Sequence, residues 1–570
     1  MTKVYPERLP WQAVEGLDTN GFVDRGQTAI PCPMTYDAIV IGGGHNGLVC
    51  AFYLAKAGLN TCVLEARHIV GGAAVTEEFA PGFRNSTASY TVSLLQPKVI
   101  ADMGLHDHGL RMLHRPAANF MPLPDGRHLI AHNGIAQTQA EFAKFSRKDA
   151  DRLPAYGTAL ETIADVLRAF ALKAPPQPGG GIASLVAAIG QGRTAAKLTR
   201  EAQRDLLELF TKSAAEFLDG WFESEPVRAL FGFDAVVGNH ASPYTPGSAY
   251  VLLHHVFGEV NGRRGAWGHA IGGMGAITQA MARACEAAGV TIRTDSPVAR
   301  VLTDKGRASA VELESGETIA TKIVAANLGP APLFGKLCDP ADLPADFRAR
   351  IARYKTGSGT FRMNVAISEL PRFTALPEPG AHMGAGIIMA PSLDYMDRAF
   401  DDSKAHGWSR APIVEMLIPS TLDDSLAPSG AHVASLFCQQ FAPALPDGRS
   451  WDDAREAAAD TVVDTVETYA PGFKASIVAR QSHSPLDLER KFGLAGGDIF
   501  HGRMSLDQLW AARPVLGHAD YRSPIPGLYL CGSGTHPGGG VTGAPGHNAA
   551  RAILRDRSVL GRLVGGRARA

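Results

Sequence analysis

The chain has 570 residues, and its 55 basic side chains nearly balance its 56 acidic ones, which leaves a formal net charge of -1. This balance gives no indication of a nucleic-acid partner. A content of 45% hydrophobic and 19% charged residues is typical of a globular enzyme. Seven cysteines without a C-x-x-C pair argue against a dithiol redox centre, and no apolar run approaches the ~20 residues that cross a bilayer. We expect a cytoplasmic protein.

The stretch from Tyr36 to Glu65 reads YDAIVIGGGHNGLVCAFYLAKAGLNTCVLE and predicts a strand, a glycine turn, a helix and a second strand. In this βαβ pattern, one glycine permits the tight turn, one lets a pyrophosphate approach, and one lets helix and strand pack. The helix N-terminus presents N–H groups to the phosphates, and the final acid accepts hydrogen bonds from a ribose. The predicted dinucleotide contacts are Gly42, Gly44, His45, Asn46, Gly47 and Glu65.

A glycine pair just beyond Glu65 lets the backbone pass close to a cofactor again. Together, the segments GGGHNG, LEAR, GGAAVT and PGFRNSTASY resemble the FAD-binding entry of phytoene desaturase-like flavoproteins, close relatives of the flavin amine oxidases. Within that family they look most like the subgroup named pyridine nucleotide-disulfide oxidoreductase domain-containing protein 2, although this chain lacks the dithiol. The resemblance implies FAD as cofactor and adds the candidate contacts Ala66, Arg67, Gly71, Gly72, Ala73 and Val298, the last against the adenine.

Residues 141 to about 222 have apolar positions at intervals of three and four, which predicts a block of helices. One interpretation is a solvated lobe packed on the FAD-binding domain. The other is a surface that contacts a membrane holding a lipid-like substrate. The second interpretation depends on a basic side formed by Arg193, Lys197, Arg200 and Arg204.

The segment 232–270 is rich in glycine, histidine, proline and aromatic residues, which suits a wall around a ligand. The pair His254–His255 lacks a second ligand cluster at metal-binding spacing, so we predict no metal site. Strand-like segments between 357 and 440 would form another wall of a long, mostly apolar cavity.

The C-terminal stretch from Gly527 to Leu554 predicts a strand, the loop GSGTHPGGGVTG and a final helix. The resembling family has a G-x-G-T-H-P-G-x-G segment here, whose glycines let the chain pass over the isoalloxazine. The last helix would point N–H groups at flavin N1 and C2=O and stabilise the charge of reduced flavin. The contacts expected from this loop and from the strand that returns to the main sheet are Asn327, Gly532, Ser533, Gly540, Val541 and Thr542.

These patterns predict an α/β fold: a discontinuous Rossmann-like FAD-binding domain with a β-meander, and a mixed α+β substrate lobe with a helical subdomain. The FAD-binding domain would comprise residues 36–140, 265–345 and 481–560. The cap would comprise residues 141–264 and 346–480. Residues 1–35 would form an N-terminal arm, and residues 561–570 a basic tail.

The resemblance implies an oxidoreductase that removes a hydride from a C–H bond of an apolar, carotenoid- or lipid-like substrate and leaves a C=C bond. The electron acceptor stays open between oxygen and a quinone. Three alternatives also stay open: a redox-neutral carotenoid cis-trans isomerase, a flavin amine oxidase, and a flavin-containing binding protein without turnover.

His536 and Arg503 are the candidate catalytic residues. An imidazole shuttles protons near neutral pH, and a guanidinium holds a carboxylate or stabilises flavin charge. The alternative roles are structural: His536 would brace the glycine loop, and Arg503 would pair with Asp507.

Overall fold

The computed structural model describes residues 35–177 and 181–558, so the predicted basic tail and all but the last residue of the predicted arm lie outside it. A parallel five-stranded sheet underlies the half of the molecule that contains the βαβ pattern from Tyr36 to Glu65, called the N-terminal fingerprint below. Its strands, in spatial order, are Thr291–Arg293, Thr61–Leu64, Ala38–Ile41, Val324–Ala326 and Leu528–Leu530.

The strand Ala38–Ile41 is buried along its whole length because both faces of the parallel sheet are covered. One face packs in an apolar core with the helices His45–Lys56, Met274–Ala287 and Ala544–Arg557. The other face shares a second core with a three-stranded antiparallel sheet. The chain therefore has the predicted Rossmann-like sheet, assembled from both of its ends and its middle.

The three-stranded sheet is the predicted β-meander, with strands Val298–Asp304, Arg307–Leu313 and Thr318–Ala320. The short strand Thr291–Arg293 precedes the meander in the chain and lies parallel to Thr61–Leu64 in the main sheet. Its register pairs Ile292 with Val63 and so extends the sheet by one strand.

A mixed seven-stranded sheet forms the centre of the other half. Its strands, in spatial order, are Ile477–His483, Thr360–Ile367, His432–Phe441, Trp408–Leu417, Gly386–Met389, Asn119–Pro122 and His128–Ala131. The predicted boundary at residue 140 grouped the last two strands with the FAD-binding domain. The structure joins them to the cap sheet instead, because Phe120 pairs with Ile387.

One face of the seven-stranded sheet shares an apolar core with the helix Trp451–Tyr469. The helical block is also present, and Ser146 caps its first long helix by accepting a hydrogen bond from Asp149 N. The helices of this block are Arg147–Ala171, Gly181–Ala195, Arg200–Thr211 and Ala214–Asp219.

The remaining longer helices connect the two halves or cover them. They are Pro97–Asp102, Ile135–Phe142, Glu225–Val236, Ala345–Ile351, Leu393–His406 and Pro485–Phe492. The segment Ser248–His255 is a 3₁₀ helix. Short antiparallel pairs are Thr76–Ala80 with Phe83–Ser86, Met112–His114 with Gly268–Ala270, and Glu259–Val260 with Arg263–Arg264. Within residues 35–177 and 181–558, no helix has the length and apolar character needed to cross a membrane.

Candidate cofactor site and substrate cavity

The glycine turn before the helix His45–Lys56 has two positions that require glycine. Gly42 has a φ of +93°, which L side chains rarely adopt. An added Cβ at Gly47 would stand 2.1 Å from the carbonyl oxygen of Gly42. Gly44 precedes the helix and has no side chain to cap its N–H groups, so these groups are available to an anionic ligand.

Glu65 follows the strand Thr61–Leu64 and is buried. Its Oε2 accepts a hydrogen bond from Gly43 N (2.7 Å), and its Oε1 accepts one from Arg67 N (2.9 Å). The carboxylate thus holds the glycine turn beside the segment that follows the second strand. Each carboxylate oxygen can accept a further hydrogen bond, so a ribose contact fits this geometry and stays a prediction.

Hydrogen bonds also join other predicted contacts to the turn. Gly71 N donates to Gly43 O (2.9 Å), and Asn327 Nδ2 donates to Gly42 O (3.3 Å). The structure therefore brings the strand that returns from the meander and the second glycine pair to the fingerprint. The neighbouring predicted contacts in that segment are Ala66, Gly72 and Ala73.

The predicted adenine contact Val298 lies near the same place. Ser296 N, two residues before it, donates to Glu65 O (2.9 Å). The start of the meander is therefore fixed beside Glu65. The predicted adenine contact thus lies next to the predicted ribose contact, as the adenine and the ribose are neighbours in a dinucleotide.

Three predicted cofactor contacts have buried polar atoms without a hydrogen-bond partner in the part of the chain that the structure describes: His45 Nε2, Asn46 Oδ1 and Arg67 Nη1. Buried polar atoms are nearly always hydrogen-bonded in folded proteins, so these atoms fit a polar ligand such as a dinucleotide. Burial, together with the nearby His501, lowers the pKa of His45 to about 4, and its imidazole is neutral at pH 7.

The C-terminal loop meets the fingerprint directly, because Asn46 Nδ2 donates to Ser533 Oγ (3.0 Å). The loop starts at Gly532, after the strand Leu528–Leu530. The helix Ala544–Arg557 begins at the end of the loop, as predicted. The predicted flavin contacts Gly540, Val541 and Thr542 therefore lie immediately before a helix N-terminus.

A cavity of about 980 Å³ adjoins this loop. At one end it reaches the buried residues His536 and Thr542, and at the other the exposed residues Gln203 and Leu207. Its lining contains no carboxylate among the residues described. Most of the lining is apolar and includes Leu94, Val166, Leu167, Phe170, Leu206, Leu207, Phe210, Phe257, Met504, Leu509 and Trp510.

The expected helical wall is present, whereas the expected wall of strands between 357 and 440 is wrong. No residue of the seven-stranded sheet is among the described residues that line the cavity. The reason is that side chains of the sheet bond to neighbouring strands on one face and pack against a helix on the other. Arg362, fully buried, donates to Leu436 O (2.7 Å) and Ser435 Oγ (2.7 Å), and the opposite face is covered by the helix Trp451–Tyr469.

His536 lines the buried end of the cavity, and its Nε2 lies 3.2 Å from Phe170 O. Its ring packs edge-on against Trp510, with 4.7 Å between centroids. Burial lowers the pKa of His536 to about 4, so the imidazole is neutral at pH 7. These contacts brace the loop, and the side chain also faces the cavity. Its catalytic role stays a prediction.

Arg503 is not part of the described cavity lining. Its Nε donates to Thr356 O (3.2 Å). The alternative pairing of Arg503 with Asp507 is wrong, because Asp507 pairs with Lys355 (2.7 Å). The structure therefore offers no contact that supports the predicted catalytic role of Arg503.

Two residues were not predicted to line the cavity, because Tyr250 was not considered and His254 was considered only as a metal ligand. The 3₁₀ helix Ser248–His255 carries Tyr250 and His254 into the lining. The composition of the segment 232–270 predicts a wall around a ligand, but no periodicity in that segment shows which side chains face inward.

Known proteins with similar sequences indicate the family of this chain. A family model described as flavin containing amine oxidoreductase matches residues 47–378. The chain is 44% identical to pyridine nucleotide-disulfide oxidoreductase domain-containing protein 2 of Rattus norvegicus, over 91% of this chain and 94% of that protein.

More distant relatives include a limonene dehydrogenase polypeptide of Castellaniella defragrans, which is 24% identical over 91% of this chain and 94% of that protein. Prolycopene isomerase 1 of an Oncidium hybrid cultivar is 24% identical over 89% of this chain and 81% of that protein.

Among solved structures, an oxidoreductase from Methanosarcina mazei matches with a TM-score of 0.53 at 16% identity, over 91% of this chain and 99% of that one. A triple mutant of putrescine oxidase matches with a TM-score of 0.58 at 16% identity, over 93% of this chain and 99% of that one. At these identities the likeness concerns the fold.

Proposed function

Because the chain belongs to the family of flavin containing amine oxidoreductases, and is an FAD-dependent oxidoreductase, we propose that it removes a hydride from a C–H bond of an apolar, carotenoid- or lipid-like substrate and forms a C=C bond. The observation that carries this proposal is the cavity of about 980 Å³, lined mostly by apolar side chains, that ends at the predicted flavin loop. Burial of an apolar substrate there is favoured by roughly 25 cal/mol per Å² of apolar surface.

The same lining argues against an amine substrate. An ammonium ion at the buried end would find no carboxylate among the described lining residues. Taking an unpaired ion out of water costs far more than burying a neutral group. An apolar chain has no such cost, so the cavity favours dehydrogenation of a hydrocarbon segment over amine oxidation.

The chain's own residues would hold and orient the reactants. FAD would be held by the glycine turn and by Glu65, Arg67 and Asn327 on one side and by the C-terminal loop on the other. When bound, FAD supplies a two-electron acceptor for a hydride. Leu94, Phe170 and Trp510 line the cavity and would exclude water from the reacting carbon. Either oxygen or a quinone would be the final electron acceptor.

A redox-neutral isomerase is the second candidate. The limonene dehydrogenase polypeptide and prolycopene isomerase 1 are both 24% identical to this chain. The same cavity would accept a polyene for isomerisation. The two reactions differ in electron balance, because dehydrogenation consumes one two-electron acceptor per double bond and isomerisation consumes none.

We further propose that the cavity takes its substrate from a membrane surface to which a cytoplasmic protein would bind peripherally. Near the open end, the helices Gly181–Ala195 and Arg200–Thr211 expose large apolar side chains, and basic residues lie in and between them. This combination suits an anionic lipid surface. The exposed apolar residues are Leu185, Val186, Ile189 and Leu207, and the basic ones are Arg193, Lys197, Arg200 and Arg204.

Anaerobic reduction of the bound flavin tests the proposed function. The FAD-loaded protein would be mixed with a panel of polyenes, fatty acyl compounds and amines, and flavin bleaching would be followed by absorbance. We expect bleaching by an apolar compound with a new C=C bond in the product. Bleaching by amines alone would overturn the proposal. Conversion of a polyene without bleaching or electron uptake would favour the isomerase.

A further inference from the structure

Two polar side chains in the cavity have no hydrogen-bond partner within residues 35–177 and 181–558. Tyr250 and His254 lie on the same 3₁₀ helix and both line the cavity. The ring of Tyr250 packs against Phe210 (4.9 Å between centroids), and the ring of His254 packs against Phe500 (5.1 Å). These ring contacts hold both side chains from the side, and the polar atoms remain available to a ligand.

His254 lies close to the predicted flavin loop. Its Nε2 is 3.6 Å from the position that an added Cβ would take on Gly540. Two other polar side chains at this end already have a hydrogen-bond partner. His536 Nε2 lies 3.2 Å from Phe170 O, and Thr542 Oγ1 accepts a hydrogen bond from Ala544 N (3.1 Å).

Both side chains are neutral at pH 7. Burial lowers the pKa of His254 to about 4, and burial raises the pKa of Tyr250 to about 12 despite the opposing effect of Arg513. This end of the cavity therefore offers a hydroxyl and a neutral imidazole, each able to donate or accept a hydrogen bond.

The chemistry of a ligand that fits this end follows from these groups. A plain hydrocarbon would displace water from the hydroxyl and the imidazole and leave both without hydrogen bonds. A cation would lose its hydration without a carboxylate in the described lining. An anion would meet only Arg168 and Arg204, which are already paired with Glu161 and Asp205. A neutral oxygen atom, by contrast, can accept a hydrogen bond from Tyr250 and pair with the imidazole of His254.

We propose that the substrate is not a plain hydrocarbon but carries a neutral hydroxyl or carbonyl oxygen, which Tyr250 and His254 bind, while its apolar remainder fills the rest of the cavity. This inference rests on the proposed function and narrows its substrate class to apolar alcohols and ketones. The oxygen would fix the position of the substrate relative to the loop that contains Gly540.

Displacement of the apolar dye Nile red from the FAD-loaded protein tests the inference with defined probes. The probes are n-decane, 1-decanol, 2-decanone and decylamine, each titrated against wild type, Tyr250→Phe and His254→Phe. Both substitutions keep an aromatic ring and remove the polar atoms. Tyr395→Phe is the matched control, because Tyr395 donates to Pro412 O and is not among the cavity residues.

We expect Tyr250→Phe to raise the dissociation constant of 1-decanol and 2-decanone about tenfold relative to that of n-decane, which is about 1.4 kcal/mol. His254→Phe should act in the same direction, and Tyr395→Phe should leave the ratio unchanged. The ratio of the alcohol to the alkane dissociation constant is compared between proteins. The different solubilities of the probes then cancel, because they are the same for every protein. FAD content and circular dichroism establish that each variant is folded.

The other possible outcomes contradict either this inference alone or the proposed function as well. If the probes bind but the alcohol-to-alkane ratio is the same in wild type and both variants, this inference is wrong and the proposed function stands. If decylamine binds most tightly, the inference is also wrong. If no probe displaces the dye, the cavity does not take apolar ligands, and the proposed function fails with it.

Discussion

Asn46 and Ser533 are 487 positions apart in the chain, yet Asn46 Nδ2 donates a hydrogen bond of 3.0 Å to Ser533 Oγ. This bond joins the two segments that are predicted to hold FAD. We expect Ser533→Ala to lose FAD on dilution more readily and to be less stable by about 0.5–1.5 kcal/mol. Thermal unfolding with FAD retention measures both effects. Ser429→Ala, in an exposed loop, is the control. An unchanged FAD content in the Ser533 variant would contradict this role.

Glu65→Gln should weaken FAD binding by about 1.5–3 kcal/mol, because a carboxylate oxygen is replaced by an amide nitrogen that cannot accept hydrogen bonds. The change also removes one of the bonds that Glu65 makes with Gly43 N and Arg67 N. Titration of the apoprotein with FAD gives the affinity. Glu317→Gln, an exposed acid paired with Arg293, should bind FAD like wild type. Equal affinities for the two variants would remove Glu65 from the site.

Gly47→Ala should abolish FAD binding, because its Cβ would stand 2.1 Å from Gly42 O and would push the glycine turn away from the helix. Strain of this kind costs about 1–3 kcal/mol or more. Gly190→Ala is matched to it, since that glycine also lies in a helix and an added Cβ meets nothing within 4 Å. Normal flavin absorbance in purified Gly47→Ala would show that the turn tolerates a side chain.

Stability should fall as the pH decreases from about 6.5 toward 4. Burial lowers the pKa of His536 to about 4 from its ordinary value near 6.5. Between these values the unfolded chain binds a proton that the folded chain does not, so stability is lost as the pH falls, and above 6.5 this dependence is absent. Other histidines whose pKa is lowered to about 4 by removal from water are His45, His240, His254, His483 and His501.

His536→Asn tests the contribution of His536 to this pH dependence of stability. The difference between the thermal midpoints at pH 7 and pH 5 should be smaller than in wild type, because the asparagine does not titrate. The exposed His406→Asn should leave that difference unchanged. A midpoint difference in His536→Asn equal to that of wild type would mean that His536 is protonated alike in the folded and unfolded chains.

The exposed apolar side chains near the open end of the cavity predict membrane binding that depends on them. We expect Leu185→Ser with Leu207→Ser to reduce co-sedimentation with vesicles that contain anionic lipid, since each leucine is about 60% exposed and would enter the lipid. Val478→Ser is the control, because Val478 is equally exposed on a strand of the cap sheet. Equal sedimentation of wild type and the double variant would contradict membrane contact at these helices.

Much of the fold was predictable because its strongest signals are local. The glycine turn, the fully apolar strand Ala38–Ile41 and the acid Glu65 lie within one continuous segment, and the structure keeps them in the predicted order. The helix Trp451–Tyr469 also begins at a local signal, because the Ser450 side chain caps it by accepting a hydrogen bond from Asp452 N.

The parts that sequence did not predict depend on distant pairing. The helix Leu393–His406 lies in a region that we expected to be strands, although Ser392 caps it by accepting a hydrogen bond from Tyr395 N. Likewise, the hairpin ending at Ala131 joins the cap sheet through the strand Gly386–Met389. The inward direction of Tyr250 follows from its packing against Phe210, which no local pattern shows.

The strand Leu528–Leu530 has a consequence for synthesis of the protein. It pairs with Val324–Ala326 and leads into the loop that meets Asn46, so the base of the predicted cofactor site includes residues that the ribosome adds more than four hundred positions after the N-terminal fingerprint. Because domains generally fold as units, this half cannot close until the strand Leu528–Leu530 has been synthesised. FAD would therefore be loaded after this strand has been made, and until then the nascent N-terminal fingerprint would belong to an incomplete sheet.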